Sequence, residues 1–137
     1  MELNRVQERL AVARRALRTL QSVLQMQPVT DIVRDAAIQR FEYSLETTWK
    51  AAQRYLRVFE AIEATSPRQV IRAAFQAGLL DEPEARQALA MLQDRNMTVH
   101  TYNEALARTL FARLQDYAAL MDRWLQRMET RLNTSFL

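Results

Sequence analysis

One glycine, Gly78, and three prolines, Pro28, Pro67 and Pro83, are all the glycine and proline that 137 residues contain. A sheet-rich chain needs tight turns at short intervals, and such turns draw heavily on these two residues. This sequence is restricted instead to long helices with few connections, and the fold class is all-α. Hydrophobic residues make up 49% of the chain, too many for disorder. The length suits one hydrophobic core, so residues 1–137 are expected to form a single domain.

The absence of cysteine removes disulfides, iron–sulfur clusters and cysteine-based zinc sites, and is compatible with a reducing compartment. Met1-Glu2-Leu3-Asn4-Arg5 opens no apolar segment of signal-peptide length, and no run of about 18 apolar residues follows. The expected location is the cytoplasm. The net charge is +3, and of 19 basic residues only Lys50 is a lysine. Arginine presents a forked donor set that matches phosphates and carboxylates. Codon usage in a GC-rich genome explains the same bias, and interspersed acids leave no basic tail or stripe.

Apolar residues recur at Leu3, Val6, Leu10, Ala13, Leu17, Leu20 and Leu24, at alternating steps of three and four. That spacing lays one stripe along a helix, with Arg5, Arg9, Arg14 and Arg18 largely off it, and Pro28 closes it. A second helix is expected from Asp31, as N-cap, to about Ala64. Its stripe is Ile38, Phe41, Leu45, Trp49, Ala52, Leu56, Phe59 and Ile62. The two form an antiparallel hairpin. Ser66-Pro67-Arg68-Gln69 starts a third helix, with serine as cap and the glutamine reaching back to the cap amide; Gly78 stops it. Asp81-Glu82-Pro83-Glu84 opens a fourth, with acids at its positive end. Asp94-Arg95-Asn96 interrupts that pattern. A last long helix then carries Leu106, Leu110, Leu114, Tyr117, Met121, Trp124, Met128 and Leu132, capped by Thr101 with Glu104 or started a turn earlier at Thr98. The architecture is a compact up-and-down bundle of about five helices.

The polar cluster Arg95–Tyr102 stands at the mouth of that last helix and holds the only histidine, His100. Histidine exchanges a proton near neutral pH, and arginine with helix-terminal amides holds a phosphate. On an ideal helix Arg95 and His100 point about 140° apart. Their convergence requires a break, which the residue pattern places at Asp94–Asn96. A phosphodiester is the substrate such a pair would suit. His100 and Glu104 share a helical face, but two ligands make no transition-metal site. No serine or cysteine stands in the cluster to act as nucleophile, and a single glycine cannot build a phosphate loop. The alternative reading is a surface or capping histidine, with Arg95 as a helix C-terminal cation.

Four stretches carry a likeness to a known family. They are Phe41-Glu42-Tyr43-Ser44-Leu45-Glu46-Thr47-Thr48-Trp49-Lys50, Ser66 through Leu79, Met91-Leu92-Gln93-Asp94-Arg95-Asn96, and Thr98-Val99-His100-Thr101-Tyr102-Asn103-Glu104. In this order they resemble the HEPN superfamily, in its nucleotidyltransferase-substrate-binding branch. The resemblance implies a helical bundle that dimerises, and a metal-independent endoribonuclease site formed by Arg95 and His100 with Asn96 in support. It further implies a partner, a minimal nucleotidyltransferase (MNT), that silences the toxin by transferring AMP to Tyr102. RNA is then the substrate and no cofactor is required. The second function the resemblance allows is a non-catalytic subunit presenting substrate or nucleotide to a separate nucleotidyltransferase.

Chemistry adds one requirement. Cleavage through the RNA 2′-hydroxyl needs a proton acceptor and a proton donor, and each chain has one histidine. A two-fold dimer with both Arg95/His100 pairs in one cleft supplies both. Phe41, Leu45 and Trp49 read as core, and Glu42, Glu46 and Lys50 as helix-surface pairing or a partner contact.

Overall fold

The computed structural model describes residues 2–98 and 103–134, which form five helices. These are α1 (Glu2–Leu24), α2 (Asp31–Phe59), α3 (Pro67–Gln76), α4 (Glu82–Thr98) and α5 (Glu104–Thr134). The up-and-down helical bundle expected from the sequence is what forms. No helix among the described residues is long and apolar enough to cross a membrane.

The α1 stripe buries Val6, Leu10, Ala13, Leu17 and Leu20 as the spacing predicts. The helix ends at Leu24, ahead of Pro28, where the amides of Gln25 and Met26 turn back to the Ser22 and Val23 carbonyls. Thr30, not Asp31, caps α2: its hydroxyl accepts the Val33 amide at 3.2 Å. Asp31 becomes the first helical residue and pairs with Arg34 at 2.7 Å. α2 also stops at Phe59 rather than near Ala64. Ala61 takes a left-handed φ of 54°, and the Ile62 amide folds back onto the Leu56 carbonyl. The Gln53 side chain then satisfies the Ala64 carbonyl at 2.7 Å.

α2 buries a wider face than one stripe. Phe41, Leu45, Ala52 and Leu56 are joined by Ala37, Ser44, Thr48, Ala51 and Tyr55, while Ile38 and Trp49 sit half-buried at the edge. The reason is that α2 packs on both α1 and α5. Phe41 stacks on Tyr117 with ring centroids 5.6 Å apart, and the Arg34 guanidinium lies 6.0 Å from the Phe111 ring. Position increases together along both helices, so α2 and α5 run parallel. Arg14, half-buried on α1, bonds Asp122 and, at 2.6 Å, Glu129 of α5.

Ser66 caps α3 by accepting the Gln69 amide, but Gln69 reaches one residue further back than expected, to the Thr65 amide at 2.8 Å. Gly78 follows the end of α3 with φ 76°, a conformation that disfavours any side chain. Arg131 of α5 donates to the Ala77 and Gly78 carbonyls at 2.8 and 2.9 Å and fixes that corner. Asp81 and Glu84 then form a reciprocal capping box, each carboxylate accepting the other's amide at 2.9 Å. Glu84 also accepts Arg127 at 2.6 Å and Arg123 at 3.0 Å from α5. α4 therefore runs antiparallel to α5, with its start beside Arg127.

The hydrogen bond from Arg127, opposed by burial and helped by the Asp81 amide and Arg123, holds the Glu84 carboxyl down at about 2. An unfolded glutamate titrates near ~4.3. The pairing thus stabilises the fold fully above the unfolded value and loses that contribution as pH falls toward 2. Glu84→Gln is expected to cost about 2 kcal/mol at neutral pH in urea denaturation. The gap between variant and wild type should close as the pH is lowered from about 5 to about 2.

Candidate functional site

α4 brings Arg95 to the end of the bundle. At about 100° per residue, Arg95 falls on the same line as Glu84, Ala88 and Met91, within a sector of about 60°. Those three are buried, so the line faces the bundle, and Arg95 is half-buried at its last turn. A cation there also complements the helix C-terminal dipole. Asn96 lies about 100° further round and is exposed, as is Met97. Adjacent positions on a regular helix point Arg95 and Asn96 apart.

The helix break expected at Asp94–Asn96 does not occur: α4 continues through Thr98. Aspartate and asparagine weaken helices by competing for the backbone, but here the Asp94 carboxylate is otherwise engaged. It accepts Arg113 Nη1 at 2.9 Å on each oxygen and the Tyr117 hydroxyl at 2.5 Å. Burial raises the Tyr117 pKa, and the hydrogen bond to Asp94 raises it further, so the phenol stays protonated as the donor. Arg113's own hydrogen bond to Asp94 holds its guanidinium more firmly charged.

The cap of α5 also differs from expectation. α5 begins at Glu104, and Asn103 caps it by accepting the Leu106 amide at 3.0 Å. Thr98 belongs to the end of α4; Thr101 lies outside the described residues. Glu104 pairs with Arg108 at 3.0 Å in an ordinary one-turn ion pair. His100 and Tyr102, expected as catalytic and modification residues, also lie outside the described residues. In the sequence they follow Arg95, on the last turns of α4, and precede the Asn103 cap. The first amides of α5 form the positive end of a helix dipole directly after this segment.

The sequence pattern places Tyr117 in the core stripe and Asp94 in a helix break, and singles out no role for Arg113. A signal was present, since a tyrosine within an apolar stripe needs a partner for its hydroxyl. Its partner is 23 positions away, beyond the reach of helical periodicity. The pairing of Glu46 with Lys50 at 3.0 Å is the helix-surface interaction expected of that stripe.

The family model described as "Nucleotidyltransferase substrate binding protein like" matches residues 8–130. A protein of Haemophilus influenzae named "Probable ribonuclease HepT" is 31% identical over 98 residues, covering 67% of this chain and 66% of that protein. A protein of Thermus thermophilus of known structure is 53% identical, with a TM-score of 0.81 over 85% of this chain and 98% of the other. The bundle also superposes with a TM-score of 0.73 on a tri-AMPylated HEPN toxin of Shewanella oneidensis in complex with MNT antitoxin. That likeness, at 17% identity over 91% of this chain and 96% of the other, is one of fold.

The Asn103 cap gives a direct check on how α5 starts. Asn103→Ala is expected to lower stability by about 1 kcal/mol, read by thermal unfolding. Asn103→Asp, which keeps the acceptor and adds charge at the positive helix end, should retain the wild-type midpoint or exceed it.

Proposed function

The chain belongs to the family described as nucleotidyltransferase substrate binding protein like, and we propose that it is a HEPN-superfamily protein, the toxin half of a HEPN–MNT pair. In this reading it is a metal-independent endoribonuclease of the cytoplasm, silenced when the partner nucleotidyltransferase transfers AMP to Tyr102. The observation that carries the reading is the Arg95–x4–His100–x–Tyr102 run, with Arg95 on the inward line of α4 and the run ending at the α5 cap. The relative named as a ribonuclease and the AMPylated toxin with its antitoxin lend it support.

Arg95 holds the non-bridging oxygens of the scissile phosphate, where its forked donors match the developing charge. His100 takes the proton from the 2′-hydroxyl, whose oxygen attacks phosphorus while the 5′-oxygen leaves. That leaving oxygen needs a proton, which the His100 of a second copy supplies across a two-fold axis. Asn96 supports the pair. For silencing, the Tyr102 phenol oxygen bonds to the α-phosphorus of ATP and pyrophosphate leaves. The added nucleotide places bulk and negative charge two residues from His100.

The family description itself favours one second reading, a subunit that binds substrate or nucleotide for the nucleotidyltransferase and cuts nothing. RNA cleavage in the presence of a metal chelator separates the two. Wild-type protein should cut, and Arg95→Ala and His100→Ala should each lose about 100-fold or more. If wild type and Tyr102→Phe both leave RNA intact while binding the partner tightly, the binding subunit is the correct assignment. Intact mass after co-expression with the partner should show adenylyl additions on wild type that Tyr102→Phe lacks; an unmodified wild type would remove the proposed control.

A further inference from the structure

The apolar anchorage of α4 thins toward its end. Ala88 and Met91 are fully buried, and Ala85, Leu89 and Leu92 only partly. The next inward position after Met91 is Arg95 itself, and Met97 is 48% exposed. The last turn, which carries the arginine proposed to hold the phosphate, therefore has little apolar packing to fix its orientation.

Asp94 provides that fixation. Its side chain is only 12% exposed, and both oxygens are bonded to α5, through Arg113 and the Tyr117 hydroxyl. Tyr117 is itself immobilised, buried at 4% exposure and stacked on Phe41 of α2. Asp94 sits about 60° around the helix from Met91 and about 100° from Arg95. A single line of contact lets a helix roll about that line. Two contacts at different angles, Met91 in the core and Asp94 on α5, stop the roll.

We propose that Asp94 is a positioning residue for the site: by locking the last turn of α4 onto Arg113 and Tyr117, it sets the direction from which Arg95 meets a phosphodiester. The inference rests on the ribonuclease reading above. Asp94 touches no substrate, and its effect passes through the backbone of α4 to the adjacent arginine. Displacements of about 1 Å at a reacting group reduce rates by about 100-fold, so loss of the lock falls on turnover. It does so more than on substrate binding, because the arginine matters most as charge develops.

Glu84 supplies the control. It clamps the other end of α4 to α5 by the same chemistry, at Arg123 and Arg127, and lies far along the helix from Arg95. Asp94→Asn, Tyr117→Phe and Glu84→Gln are compared at a temperature where all three are folded, with kcat and KM measured on one RNA oligonucleotide. Amide hydrogen exchange of residues 92–98 is followed on the same proteins. Asp94→Asn is expected to lower kcat by about tenfold or more with KM within about threefold of wild type. Tyr117→Phe should fall between wild type and Asp94→Asn. The double variant carrying both changes should lose no more than Asp94→Asn alone, since the two groups act as one unit. Exchange in 92–98 should quicken in Asp94→Asn and not in Glu84→Gln. Wild-type kcat in Asp94→Asn, or an equal fall in Glu84→Gln, overturns the proposal. So does unchanged exchange in 92–98, whatever the activity. A wild-type protein that cuts no RNA fails the ribonuclease reading instead, and the exchange measurement still decides whether Asp94 holds the turn.

Discussion

Glu84 and Asp94 stand ten positions apart on α4, about 15 Å along the helix, and both carboxylates are spent on α5. Each accepts two side-chain donors from it, Arg123 and Arg127 at one end and Arg113 and Tyr117 at the other. Between them only Ala88 and Met91 are fully buried. For most helices in a bundle, tertiary position follows from an apolar stripe, as it does for α1, α2 and α5. α4 has too narrow a stripe for that, and directional polar bonds take over. The placement of α4, and of Arg95 with it, depends on those two clamps.

The same logic accounts for much of the arginine. Arg14 joins α1 to α5, Arg34 folds over Phe111, Arg123 and Arg127 hold Glu84, and Arg131 binds the carbonyls that end α3. A forked, planar donor set can satisfy a carboxylate or two carbonyls at once, which a lysine ammonium does with less geometric definition. Several of these arginines come from the long α5, which receives α1, α2 and α4 on different faces. The positive excess of the sequence is therefore partly internal wiring, and the basic composition is a poor guide to where an anionic ligand would bind.

Helix existence was legible in the sequence because Leu10–Leu17–Leu20 or Leu114–Tyr117–Met121 repeats at the helical period, and burial follows that period directly. Ser66 was legible as a start because its capping partner lies three residues away, and Asp81–Glu84 because acids mark the positive end of a helix. What escaped was decided by distant residues. Asp94-Arg95-Asn96 reads as a break on local propensity, yet Arg113 and Tyr117 remove the carboxylate from competition with the backbone. The end of α2 escaped for a related reason, since the Gln53 amide satisfies Ala64 from within the helix. At the candidate site, Arg95 was singled out by the polar cluster and its proposed role came from the resemblance. The inward direction of Arg95 was not legible, because Glu84, a charged residue, occupies the first place in its buried line.

The continuity of α4 moves the geometric problem of the site. α4 is a regular helix through Thr98, and α5, from Glu104, runs the opposite way. Arg95 lies on a continuous helix, so no kink beside the arginine is available to turn it toward His100. Asp94 ties the last turns of α4 to Tyr117, and Asn103 caps the start of α5, so each helix end is held by its own bond.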